Sequence, residues 1–388
     1  MYASIGLSIY RNMNNITEKE ALCFLQSIKE FQGKKIPQLR NKFGSLVSLV
    51  TADEVTLSEM LDPDCSIALL NARENISIAD TLKVLNSQGI NFYITSDTEY
   101  PESLRSIASA PQGIYVKGKL PDTFLPKVAI IGARNCSAYG SQMTKAYAKE
   151  LARNHIPIIS GMARGVDGIA ESAAIEAGGY VCSVLGCGID ICYPKENRQI
   201  YDECRKSGCI ISEYPPGTAP HPRLFPPRNR IISGLSDAIL VMEARERSGT
   251  LITVNMALDQ GRDIYALPGR TCDSLSYGCN MLIREGATPL ITPELFLDEF
   301  LERFNLARCD KDTEERNRQS HASQFLTADE RLVMSVLDFI PKSISEIYCS
   351  LTDKTSMSIP SLMQLLTHMT MQYKIKCIDG NNYYLEND

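Results

Sequence analysis

The sequence predicts an α/β protein: an extended Rossmann-like parallel sheet domain with an N-terminal helical module and a C-terminal winged-helix-like domain. Three observations predict it. Apolar runs such as VAII at 128–131 and AILVM at 238–242 are nearly continuous, as strands buried on both faces are. These runs alternate with helical patterns from residue 127 to 304, the signature of a parallel sheet covered by helices. Seventeen of the 24 glycines fall in residues 128–290, far above that segment's share of the chain. Glycine serves tight turns and close approach to the backbone.

The elements follow in order. Residues 18–62 read as two or three short helices and Ser66–Gln88 as a further helical stretch, giving a module over residues 1–88. Asn91–Thr95 and Gly113–Lys117 are short strand-like pieces that enter the sheet domain, residues 89–304. There the expected strands are Lys127–Ile131, Ile156–Ser160, Tyr180–Leu185, Cys209–Ser212, Ala238–Glu243 and Asp263–Ala266, with a short one at Pro289–Ile291. The expected helices are Ser141–Asn154, Gly168–Ala177, Lys195–Lys206, a short one near Asn229–Ser233, Gly249–Gln260, Tyr277–Glu285 and Pro293–Phe304. The polar stretch 305–325 reads as a linker. In 326–388, Thr327 with Glu330 forms a capping box. Ser343–Cys349 and Ser358–Met369 are helical, and Asp379-Gly380-Asn381 is a hairpin turn.

Composition excludes several classes. The 388 residues suffice for two or three domains at roughly 150 each. No apolar run reaches the ~18 residues of a membrane span, and no secretory signal opens the chain. The 13 cysteines are scattered without a CxxC pair, which fits reduced thiols in a cytoplasmic protein. The four histidines stand apart, so no metal site is expected and no cofactor is called for. Net charge is −6, but the acidity gathers at the C-terminal end: residues 128–290 hold 17 basic and 16 acidic side chains, residues 291–388 hold 10 and 16. A local basic groove in the sheet domain is compatible with that balance.

Five segments carry the chemistry. The first strand runs into Gly132-Ala133-Arg134-Asn135-Cys136-Ser137 and then a helix, whose N–H groups can hold a phosphate. The spacing is neither GxGxxG nor the Walker pattern, and no acid ends the second strand to read a ribose. Arg134 adds a charge-assisted contact, or else is a surface ion-pair partner. The second loop, Ser160 to Gly168, places Gly161 and Arg164 at the same crevice; Asp167 is a mouth carboxylate or an N-cap. The third loop carries Tyr193, suited to base stacking or loop packing, and Lys195, which faces a ligand anion or open solvent. The stretch 217–234 holds Arg223, Arg228 and Arg230 around Phe225 and no acid. Arginine interleaved with an aromatic suits a single-strand backbone and its bases. The alternative pairs these arginines with Glu213, Glu243 or Glu246. After the next strand, Ser248 and Gly249 offer N–H and hydroxyl groups. No nucleophile and base can be paired, although Asp167, Asp190 and Glu213 are candidate metal-holding or basic carboxylates.

The segments YPESLRSIASAPQGIYVKG, IGARNCSAYG, SGMARGVDGIA, VLGCGIDICYP, ISEYPPG, FPPRNRIISGLS, VMEARERSGTLIT, GRDIYALPG and GCNMLIREGA follow one another over about 100–290. In that order they resemble the DNA-processing protein A (DprA/Smf) family. The resemblance implies a non-enzymatic single-stranded DNA-binding protein that forms a homodimer. It further implies a role in natural transformation, coating incoming strands and helping load the RecA recombinase. On the family pattern Gly132, Arg134 and Ser137 face the strand, with Lys195, Phe225, Arg228 and Arg230 as neighbours. A nucleotide-processing or nucleotide-sensing protein using the same loops is the alternative. Two departures stand out. Glu171 replaces a histidine of the family pattern, and the N-terminal module resembles the family's SAM-like module only loosely. The expected tail helix 358–369 has no Lys or Arg, which favours packing or protein contact there over DNA reading.

Overall fold

The computed structural model describes residues 16–31, 35–308, 327–338, 341–351, 357–371, 375–378 and 380–385. It divides into two compact units, 1–307 and 308–388. The expected linker 305–325 lies mostly outside the described residues.

A nine-stranded sheet organises the large unit. Its strands are β1 (Asn91–Ile94), β2 (Gly113–Gly118), β3 (Val128–Ile131), β4 (Ile158–Ser160), β5 (Val181–Leu185), β6 (Cys209–Ser212), β7 (Ala238–Val241), β8 (Asp263–Ala266) and β9 (Thr288–Pro289). The order is β1-β2-β6-β5-β4-β3-β7-β8-β9, with β6 through β9 parallel and β1 and β2 antiparallel at one edge. The chain winds outward from β3 in one direction through β4, β5 and β6, then returns to β3's other side with β7. That reversal is the topological switch point of a doubly wound sheet, where ligands bind beyond the strands' carboxyl ends.

Strict alternation builds two cores. Val128, Ile130, Ile158, Val181, Ile210 and Leu240 face one side. Ala129, Ile131, Ile159, Cys182, Ile211 and Val241 face the other. Helices α8 (Ala138–Arg153), α9 (Val166–Glu176) and α14 (Pro293–Arg303) cover the first face through Tyr147, Leu151, Ala170, Ala173, Phe296 and Phe300. Helices α11 (Phe225–Leu235), α12 (Gly249–Asp259) and α13 (Tyr277–Arg284) cover the second through Ile231, Leu235, Val254, Ala257 and Leu282. Helix α10 (Arg198–Ser207) packs beside β5 and β6 through Tyr201 and Cys204.

The N-terminal module is α1 (Glu18–Ser27), α2 (Lys35–Phe43), α3 (Leu46–Thr51), α4 (Glu54–Met60), α5 (Pro63–Asn75) and α6 (Ile78–Ser87); a short α7 (Glu102–Arg105) follows β1. The expected single stretch 66–88 is two helices, because Ile76 adopts extended backbone after α5. The module does not separate at residue 88. Leu22 and Phe24 share one core with Phe92 and Tyr115, whose rings lie 4.7 Å apart, so helices and sheet fold as one unit.

The small unit contains α15 (Ala328–Met334), β10 (Lys342–Ser343), α16 (Ile344–Leu351), α17 (Ile359–Met371), β11 (Lys376–Ile378) and β12 (Asn382–Tyr384), with sheet order β10-β12-β11. The Thr327–Glu330 capping box forms, the Glu330 side chain accepting from the Thr327 N–H at 2.8 Å. Val333, Ile347, Leu362, Leu366 and Tyr383 make its core. No helix among the described residues is long and apolar enough to cross a membrane.

Candidate nucleic-acid interface

Because β3 to β8 run parallel, the loops after them emerge along one edge. The first loop does not leave a helix N-terminus open. Ser137 N-caps α8 by accepting from Gly140 N–H at 3.0 Å. Its own N–H donates to Glu243 Oε2 at 2.8 Å, and its hydroxyl donates to the other carboxylate oxygen. Glu243 is buried, and a Cβ at Gly140 would overlap its carboxylate. A carboxylate there satisfies the same N–H groups and helix dipole that a phosphate would. The expectation that this helix start and Ser137 face a strand is therefore corrected: the protein's own anion occupies the position. Gly132 likewise serves packing, because a Cβ there would meet Val166 at the start of α9.

Arg134 remains at the surface. Its guanidinium sits 5.4 Å from the centre of the Phe225 ring, and Phe225 stacks on Tyr193 at 5.7 Å and 18°. Three elements meet in this ladder: the loop after β3, the loop after β5 and the first residue of α11. The ring can lie there because residue 186 is glycine; a Cβ would collide with Phe225. Tyr193 is 43% exposed, so one end of the stack is open to solvent. Lys195, two residues on, is exposed. Among the described residues neither Arg134 nor Lys195 has an ion-pair partner. Tyr193 was expected only as a stacking aromatic or a packing residue; its pairing with Phe225 required the fold.

Two expected DNA contacts are corrected. Arg228 is buried and donates through Nη1 to Gly161 O at 2.7 Å and to Val184 O. It clamps the carboxyl ends of β4 and β5 from below. Asp167, also buried, lies beside it; burial raises the Asp167 carboxyl above its usual range while the Arg228 charge opposes that rise. Gly161 belongs to this floor, since a Cβ there would touch both Arg228 and Asp167. Arg230 is spent on Glu213 in a two-pronged pair at 2.8 and 2.7 Å and on Ser109 O at 2.7 Å. This is the structural alternative, with Glu213 as the partner. The reason in both cases is helix geometry. Pro226 and Pro227 lie in the first turn of α11, where proline is well tolerated, so the helix starts at Phe225 and turns Arg228 inward.

The remaining candidates sit apart from one another. Arg164 pairs with Glu196 at 2.6 Å, with both side chains largely exposed, so the pair holds it weakly. Ser248 N-caps α12 by accepting from Thr250 N–H at 3.2 Å, and Gly249 is exposed beside it. Asp190 accepts from Gly217 N–H at 2.8 Å, tying the third loop to the fourth. The three carboxylates considered for metal or base chemistry thus each have a protein partner. Among the described residues no group of three or more His, Cys, Asp or Glu side chains is placed to hold a metal.

Glu171 lies under the cleft rather than in it, fully buried. Its Oε1 accepts from Met162 N–H at 3.1 Å and from Ser183 Oγ at 2.8 Å. Met162 is held at φ +52, a conformation disfavoured for a side-chain-bearing residue. Asn197 donates to Met162 O at 2.9 Å, so the second loop is fixed from both sides. Burial, with the nearby Asp167 charge, pushes the Glu171 carboxyl up to about 8.

Comparison with known proteins bears on the same region. The family model described as "DNA recombination-mediator protein A" matches residues 91–301. The chain is 41% identical over 210 residues to the DNA processing protein DprA of Streptococcus pneumoniae, covering 54% of this chain and 74% of that protein. It is 40% identical over 225 residues to the DNA processing protein DprA of Bacillus subtilis, covering 57% and 75%. The X-ray structure of the Streptococcus pneumoniae protein superposes with a TM-score of 0.55 at 31% identity, covering 76% of this chain and 96% of that one.

Proposed function

The chain belongs to the DNA recombination-mediator protein A family, and from that premise we propose that it binds single-stranded DNA along the carboxyl edge of its sheet. The observation that carries this reading is the Arg134–Phe225–Tyr193 ladder with Lys195 beside it. A stacked aromatic pair with an open end accepts a base of any identity. Exposed cations at its flank grip phosphate without reading sequence. Arg223, exposed two residues before Phe225, adds a further cation.

The buried groups prepare that surface. Arg228 and Asp167 hold the ends of β4 and β5, Arg230 anchors α11 to Glu213, and Glu243 fixes the start of α8. The strand then meets loops that are already ordered, which lowers the entropy lost on binding. A binding role without catalysis belongs to this reading, in which Asp167, Asp190 and Glu213 each serve a protein partner. Homodimerisation and delivery of the strand to a RecA recombinase during natural transformation complete the reading. Two cleft surfaces on one strand would raise affinity through effective concentration. The element order of the small unit, helix–strand–helix–helix–strand–strand, supports a winged-helix-like assignment.

The test is a salt-dependent titration of a fluorescent oligonucleotide, single-stranded and then duplex. Steep weakening with salt and preference for the single strand are expected. Equal affinity for a mononucleotide and a long strand would overturn the reading.

A further inference from the structure

The ladder accounts for cations on one side of the switch point only. Beyond it, the loop after β7 carries Arg245 and Arg247, and the loop after β8 carries Arg270. All three are exposed, and none of their side chains has an ion-pair or hydrogen-bond partner among the described residues. Their backbone is not loose. Ala244 N–H donates to Leu275 O at 2.8 Å, and Gly278 N–H donates to Ala244 O at 2.8 Å. Glu243, one residue earlier, is locked onto Ser137. The Tyr139 hydroxyl donates to Pro268 O at 3.0 Å, bringing the start of α8 alongside the β8 exit. The Tyr139 side chain is 43% exposed. These bonds set Arg245 and Arg247 between the first loop, which bears Arg134, and the loop bearing Arg270. Glu246 and Asp273 are exposed nearby, and Glu243 is buried against Ser137, so the exposed charges of the stretch are three cations and two acids.

We propose that this stretch is a second subsite for the same single strand, with Arg245, Arg247 and Arg270 taking its phosphates and Tyr139 offering a face to a base. The inference rests on the single-strand reading and extends it. From β5 to β8 the sheet spans four strand spacings, about 19 Å at ~4.8 Å each. A stacked strand rises ~3.4 Å per nucleotide, so roughly six nucleotides cross that distance. A four-nucleotide strand therefore fills the ladder alone, and a twenty-nucleotide strand reaches both subsites.

The test compares oligo-dT of 4 and 20 nucleotides against the full chain and three variants over a range of salt. Each phosphate contact contributes ~0.7 to the salt slope of a single strand. The Arg245→Ala/Arg247→Ala variant should lower the slope for the 20-mer by about 1.4 and leave the 4-mer unchanged. Arg270→Ala should lower it by about 0.7. Thermal melting of both should match the parent, because the side chains are exposed and unpartnered. An unchanged 20-mer slope, or an equal loss on both lengths, would overturn the second subsite. Arg134→Ala separates the two claims: it should weaken both lengths, and no effect on either would overturn the single-strand reading itself.

Discussion

At the residue scale, what decides an arginine's role here is whether a carboxylate or carbonyl reaches it first. Arg134 has neither and lies on an aromatic face, whereas Arg230 has Glu213 and Arg228 has two strand-end carbonyls. Arg134→Ala should therefore lower the salt slope of single-strand binding by about 0.7 with melting unchanged. Arg230→Ala should do the opposite: removing one partner of a mostly buried pair strands the Glu213 charge, at a cost on the order of 3 kcal/mol measured by denaturant unfolding. Glu171 gives a pH signature. Its folded-state pKa of about 8 lies above the ordinary 4.5, so its protonated form is the better-folded one. Its contribution is fully present below about pH 4.5 and is lost as pH rises through 8. Glu171→Gln keeps an oxygen for the Met162 and Ser183 donors and should flatten the decline in melting temperature between pH 6 and 9. An undiminished decline in the variant would remove Glu171 as its source. The sequence could not distinguish Arg228 from Arg230, because RNR at 228–230 offers two identical charges and only the phase of α11 turns one to the strand ends and the other to Glu213.

At the scale of elements, the strands were legible because both faces of the sheet are covered, which makes their apolar runs continuous. The start of α11 was not, because a double proline looks like a break until it falls in a first helical turn. The plugged N-terminus of α8 was also hidden: Glu243 lies 106 residues after Ser137 and meets it only once β7 pairs with β3. Glu243→Ala should leave the Ser137 N–H unsatisfied in a partly buried setting and destabilise the fold by about 1 kcal/mol. Chemical denaturation of the variant checks this. Gly186→Val tests the aromatic ladder from beneath. The added side chain would displace Phe225, and single-strand affinity should fall while the sheet, read by circular dichroism, persists.

At the scale of the whole molecule, the doubly wound order places the loops after β3, β4, β5, β6 and β7 on one edge, and the family match covers that region. The alternation of apolar runs with helices made this architecture legible. The fusion of the helical module to the sheet was not, because Leu22 and Phe92 share a core across seventy residues of intervening chain. In the small unit, α17 carries no Lys or Arg and exposes Ile359, Met363 and Met371, a surface suited to protein contact rather than to phosphate. A chain ending at residue 307 should therefore keep the parent's salt slope for oligo-dT; a marked loss would move DNA contacts into the small unit. The most direct test of the central claim is the salt slope for a 20-nucleotide single strand measured in the parent and in Arg134→Ala/Lys195→Ala. A steep parent slope that falls by about 1.4 in the variant is the predicted result. A slope near zero in the parent, or one that the variant leaves unchanged, would contradict it.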